Sequence, residues 1–170
     1  MYWVTVPAIV AASNAPAWAT VYLTVEQAQQ AIFPGETLTA APLILTDAQC
    51  KEIQRRSGVP VRITAPKVWN VNGGGWFIID EVLGKHEFIT YAIGLAADGA
   101  VRRIEIMEYR ETYGGDIRDA QWRRQFVGKT GRSVLKLDAD ITNISGATLS
   151  CRHMTDGVKR VLAMHDVALR

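Results

Sequence analysis

The chain has 170 residues, 48% of them apolar and 21% charged, with a formal net charge of +2. That composition fits one globular domain with an N-terminal appendage. The charge is too small to point to nucleic acid or an acidic membrane surface, and no stretch has the length of a membrane-spanning helix.

Residues 1–19 read as an export signal. An apolar run from Tyr2 to Ala12 leads to Ala17-Trp18-Ala19, small residues where a signal peptidase cuts, so cleavage is expected after Ala19. The usual positive start is missing, since the first cation is Lys51. A buried N-terminal strand is the other reading.

Residues 20–58 read as a helical lead-in. Thr24-Val25-Glu26-Gln27 and Thr46-Asp47-Ala48-Gln49 are two capping boxes. Pro34-Gly35 closes the first helix, and Arg55-Arg56-Ser57-Gly58 closes the second. Thr37 to Leu45 reads as extended. Whether these helices join the domain that follows or stand before it is open.

From Val59 the pattern turns to β. Val61 to Val71 is rich in β-branched residues, and Asn72-Gly73-Gly74-Gly75 turns into Trp76-Phe77-Ile78-Ile79. Those glycines serve a strand turn before they argue for a ligand loop. Phe88 to Leu95 and Val101 to Tyr109 flank Asp98-Gly99, a hairpin signal. The first of these strands is almost wholly apolar, so it is expected at the centre of the sheet, covered on both sides. The whole reads as an α+β domain with a mostly antiparallel sheet and packed helices, spanning residues 59–170.

A helix carrying Trp122 and Phe126 on one face is expected after Asp116. Near the C-terminus, Ser145-Gly146-Ala147-Thr148-Leu149-Ser150 opens the last helix. Its apolar face runs through Leu149, Met154, Val158, Val161 and Leu162. Small residues at a helix start leave the first N–H groups approachable, and with the helix dipole they form an anion site. An ordinary polar cap by Ser145 or Thr142 would instead occupy those groups.

Two cysteines, Cys50 and Cys151, lie in no Cys-x-x-Cys pattern. His86, His153 and His165 are too dispersed for a metal site and read as surface or cap residues. No Gly-x-Gly-x-x-Gly run is present, which argues against direct oxidation of NAD(P)H.

Three ordered blocks resemble the FMN-binding domain family, whose members include flavin-carrying components of the sodium-pumping NADH:quinone oxidoreductase and of the Rnf electron-transfer complex. The first is the Asp98-Gly99 hairpin. The second runs from Glu111-Thr112-Tyr113-Gly114 to Trp122, Gln125, Phe126, Gly128 and Lys129. The third is Ser145-Gly146-Ala147-Thr148-Leu149-Ser150. The resemblance covers roughly residues 59 to 165. It implies FMN joined to Thr148 through a phosphoester, made by a separate FAD:protein FMN transferase. The acid that usually stands six residues before the threonine is Thr142 here, with Asp138 and Asp140 the nearest upstream acids.

Ser145, Gly146, Ala147 and Ser150 are expected around the phosphate. Glu111, Thr112, Tyr113 and Gly114 are expected near the ring, with Tyr113 stacking on it. Arg110 can pair with Glu111. The implied function is an exported, extracytoplasmic or periplasmic electron carrier with a membrane redox partner. A non-covalent flavin reductase and a flavin-free sensory or interaction module are the alternatives.

Overall fold

The computed structural model describes residues 20–110 and 114–170. The proposed signal segment and residues 111–113 lie outside the described residues. One antiparallel sheet contains six strands: β1 (Thr20–Val21), β2 (Leu38–Ala40), β3 (Lys67–Val71), β4 (Trp76–Leu83), β5 (Phe88–Leu95) and β6 (Val101–Tyr109). Their spatial order is β1-β6-β5-β4-β3-β2. The α+β expectation holds. The helices are α1 (Val25–Ile32), α2 (Asp47–Ser57), the single turn α3 (Ala120–Arg123) and α4 (Thr148–Met164).

Both early helices start as expected. Thr24 and Thr46 accept from the N–H groups of Gln27 and Gln49, whose side chains cap the threonine N–H groups in return. Gly58 ends α2 with φ of 72°, a left-handed conformation that costs glycine little. The segment carrying these helices belongs to the same sheet: β1 pairs with β6 at one edge and β2 with β3 at the other. The strand expected over 61–71 is shorter, with regular pairing only from Lys67. Pro60 and Pro66 bracket the unpaired part, and neither has an N–H to donate to a ladder.

The hairpin β5–β6 has the expected bounds, and β5 is covered on both faces. Ile89, Tyr91, Ile93 and Leu95 join the larger core under α4, while Ala92 joins the smaller one under α1. At Gly94 a Cβ would lie 2.3 Å from Ile32 Cγ2, so the missing side chain lets α1 close on the sheet.

Helix α4 is bound to the sheet by a buried polar cluster. Arg160 donates through Nη2 to Asp80 Oδ2 at 2.7 Å and to the Glu81 carbonyl at 2.9 Å. The Tyr91 hydroxyl donates to the same Asp80 oxygen at 2.7 Å. Burial, and then the Asp80 charge, push the Tyr91 hydroxyl well above its ordinary pKa, so it remains a donor. Gly157 faces the cluster, where a Cβ would lie 2.7 Å from the Tyr91 hydroxyl.

Removing one partner of a buried ion pair strands the other charge, at a cost of about 3–5 kcal/mol. Asp80→Ala is therefore expected to lower the unfolding free energy by about that much. Asp80→Leu combined with Arg160→Met, which removes both charges, should cost far less. Urea unfolding of the two variants measures the difference.

Candidate functional site

The site is organised by the first turn of α4. Its N-cap is Ala147, which offers no side-chain cap. The polar cap anticipated from Ser145 or Thr142 is not formed, because the chain turns away at Gly146, with φ of 86°. The Ala147 N–H bonds back to the Ile144 carbonyl at 3.0 Å. The first N–H groups of α4 thus lack the oxygen that a serine or threonine cap would bring.

Thr148 is half-buried and borders two clefts. One, of about 250 Å³, is lined by Lys85, Gly114, Gly146, Ala147, Thr148, Leu149 and Ser150. The other, of about 280 Å³, runs along α4 past Lys136, Asp138, Arg152 and Lys159. Each is slightly smaller than the roughly 300 Å³ at the low end for small-ligand sites, and Thr148 is the residue their linings share.

Four of the expected phosphate residues, Gly146, Ala147, Thr148 and Ser150, share the first cleft with Gly114. Ser145 is exposed and lines neither cleft. Glu111, Thr112 and Tyr113 lie outside the described residues. The end of their segment does reach α4: at Gly114, with φ of 81°, a Cβ would lie 2.8 Å from Ser150 Oγ and 3.0 Å from the Tyr109 hydroxyl. Arg110 bonds through two nitrogens to Glu108, both at 3.0 Å; the pairing considered with Glu111 lies outside the described residues.

Lys85 is the cation that sequence reading missed. It sits on the β4–β5 turn, which is closed by a bond of 2.7 Å from Gly84 N–H to the Glu87 carbonyl. His153, on α4, lies with Nδ1 3.1 Å from the Gly84 carbonyl and so ties that turn to the helix. His165 is buried against the Gly99 turn and is the C-cap residue of α4, the second of the two places expected for it. Both cysteines are free thiols, and burial raises the pKa of Cys151.

The expected helix after Asp116 is broken. A 3₁₀ turn over Gly115–Arg118 is followed by α3 and a second 3₁₀ turn over Arg124–Phe126. Buried Arg123 lies between them, donating to the Ile104 carbonyl at 2.9 Å and to Glu105 at 2.8 Å. Trp122 and Phe126 are core residues, packed edge to face with centroids 5.2 Å apart. Their stretch also grips the loop before α4. Trp122 Nε1–H donates to the Thr142 carbonyl, and Gln125 Oε1 accepts from the Thr142 N–H, each at 2.7 Å. The next residue, Asn143, donates through Nδ2 to Thr148 Oγ1 at 3.1 Å. Its Oδ1 is buried and has no hydrogen-bond partner among the described residues.

The two upstream acids differ in role. Asp140 is structural, accepting from the N–H groups of Leu135 and Lys136 and from Lys129 Nζ. The Lys136 N–H first, then Lys129 and the Leu135 N–H, hold its pKa at about 2. Exposed Asp138, with φ of 61°, lines a cleft with Thr148.

A larger cleft of about 590 Å³ lies toward the other end of α4, among Arg55, Arg56, Arg132, Lys159 and Arg170. Arg55 and Arg56 already pair with Glu52, and Arg170 with Asp166. It contains none of the motif residues.

The family model of the FMN-binding domain matches residues 84–163. That stretch belongs to the FMN-binding domain family, and FMN is the cofactor such a domain binds. No curated protein matches the chain. The residues around Thr148 fit the phosphate of that group: an uncapped helix start, a nearby lysine and a close glycine contact.

The folded pKa of Asp140 lies below its ordinary value of 3.8, so its stabilising effect is complete above about pH 4 and fades as pH falls toward 2. Asp140→Asn is expected to lower the melting temperature at pH 6 and to narrow that gap at pH 2. Thermal unfolding at the two pH values checks the sign.

Proposed function

We propose that this protein is an exported electron carrier holding FMN by a phosphoester to Thr148. The observation that carries the reading is Thr148 at the uncapped start of α4, bordering both clefts, within a stretch of the FMN-binding domain family. When bound, FMN supplies one- and two-electron redox chemistry. The protein anchors the phosphate, shields one side of it and presents the ring.

Magnitudes favour a covalent tether. A helix start contributes about 0.3–1 kcal/mol toward an anion, up to about 2 when partly buried. An exposed lysine adds at most about 1 kcal/mol, and one aromatic stack about 0.5–1.5 kcal/mol. Even the upper ends of these ranges sum to only about 4.5 kcal/mol, close to the roughly 4.1 kcal/mol that corresponds to a millimolar dissociation constant. A carrier outside the cell, where free flavin is scarce, would lose FMN held only by these contacts.

Threonine needs activation to act as a nucleophile. Two acids line one of its clefts: Asp138 is exposed, and Asp156 pairs with Lys159 at 3.6 Å, while the Thr148 hydroxyl meets the Asn143 amide. A separate FAD:protein FMN transferase is therefore the proposed source of the bond. The working place is the extracytoplasmic or periplasmic side of a membrane, with a membrane redox protein as partner.

Co-expression with an FMN transferase should give a band that stays fluorescent on a denaturing gel, and Thr148→Val should abolish it. Lys85→Glu should leave the band but slow its appearance several-fold. A dark wild-type band over a yellow native protein would replace this reading with non-covalent FMN binding.

A further inference from the structure

We propose that Asn143 is the positioning residue for Thr148 and that Trp122 and Gln125 hold it in place. The inference rests on Thr148 as the attachment residue.

The carboxamide of Asn143 has one bond among the described residues, and that bond goes to Thr148 Oγ1. Its Oδ1 is buried and has no partner among the described residues. Leaving a buried carbonyl unsatisfied is unfavourable, and such an exception needs a reason. A residue needed only to fill space would avoid that penalty with an apolar side chain. The direction of the bond supplies the reason. Asn143 donates to the threonine oxygen, so the contact survives when Oγ1 gives up its hydrogen and becomes an ester oxygen. An acceptor at this position would lose its bond on modification.

Position 143 is itself fixed. Trp122 Nε1–H and Gln125 Oε1 hold both polar groups of the Thr142 backbone, and Gln125 Nε2 donates to the Trp122 carbonyl at 3.1 Å. The chain then turns at Gly146 and brings Thr148 back to the Asn143 amide. A relay thus runs from Trp122 and Gln125, through the Thr142 backbone and the Asn143 amide, to Thr148 Oγ1.

In the transfer step, Thr148 Oγ1 attacks the phosphorus of the FMN half of FAD. The Oγ1–P bond forms, the P–O bond to AMP breaks, and AMP leaves with the electron pair. The hydroxyl proton passes to a base of the transferase. No oxidation state changes. Misplacing a reacting group by about 1 Å can cost about 100-fold, so loss of one orienting bond is expected to cost about tenfold.

The test compares wild type, Asn143→Ala, Gln125→Ala and Thr148→Val as full chains. Attachment is timed with FAD and the transferase by fluorescence on denaturing gels. Three-bond NMR couplings to Thr148 Cγ2 are read on the flavin-free proteins. Asn143→Ala is expected to lower kcat for attachment about tenfold, with KM and melting temperature unchanged. The couplings should pass from one χ1 well to an average. Gln125→Ala should move both readouts in the same direction, and Thr148→Val should take up nothing.

Wild-type attachment kinetics or wild-type couplings in Asn143→Ala would overturn the positioning role. A wild-type chain that never accepts covalent flavin would remove the attachment reading instead, and the couplings alone would then decide whether Asn143 orients Thr148.

Discussion

The buried contact between Arg160 and Asp80 is the constraint on which the site depends. Helix α4 carries Thr148 at one end, and Arg160 lies about three turns further along. Because Arg160 is held by a carboxylate and a carbonyl of β4, the helix cannot slide along the sheet without exposing an unpaired charge to the core. Tyr91 adds a bond from the adjacent strand, and Gly157 lets the helix approach closely enough for all three to form. The start of α4 is therefore set by an interaction far from it. A candidate site at a helix end needs that kind of support, since the end turns of a helix otherwise fray.

The sheet brings distant parts of the chain to that fixed end. Lys85 arrives on the β4–β5 turn, tied to α4 by His153. Gly114 arrives after β6 and meets Ser150. The loop before α4 is held by Trp122 and Gln125. Each approach uses a backbone group or a glycine, so the residues around Thr148 are placed by main-chain geometry more than by side-chain packing. The N-terminal segment stabilises this arrangement without lining the clefts: α1 covers the opposite face, and β1 and β2 finish the two edges.

Local signals in the sequence were faithful to the fold. The threonine-to-glutamine capping boxes, Gly58 and the Asp98-Gly99 turn each depend on residues within four positions, and each appears where the residues put it. The glycine and threonine of the last motif are legible as a candidate site through the family resemblance, since helix-start chemistry alone leaves an ordinary cap as the other reading. Three features were hidden. The helix after Asp116 breaks because Arg123 turns inward to Glu105, a partner eighteen residues away. Ala147 takes the cap because Gly146 adopts a left-handed turn, which its neighbours do not announce. Lys85 is separated from Thr148 by the whole hairpin and the loops after it, and only sheet pairing makes them neighbours.

The grip on Thr142 has a consequence for how this site can vary. Trp122 and Gln125 bind its N–H and carbonyl, which every residue except proline possesses in full, and the Thr142 side chain is exposed. The loop is indifferent to what projects from position 142. That makes it a free variable: a carboxylate, a hydroxyl or a methyl group can be exchanged there with the scaffold left standing. Whatever a modifying enzyme reads at this position can drift, or be redesigned, separately from the fold that presents the threonine.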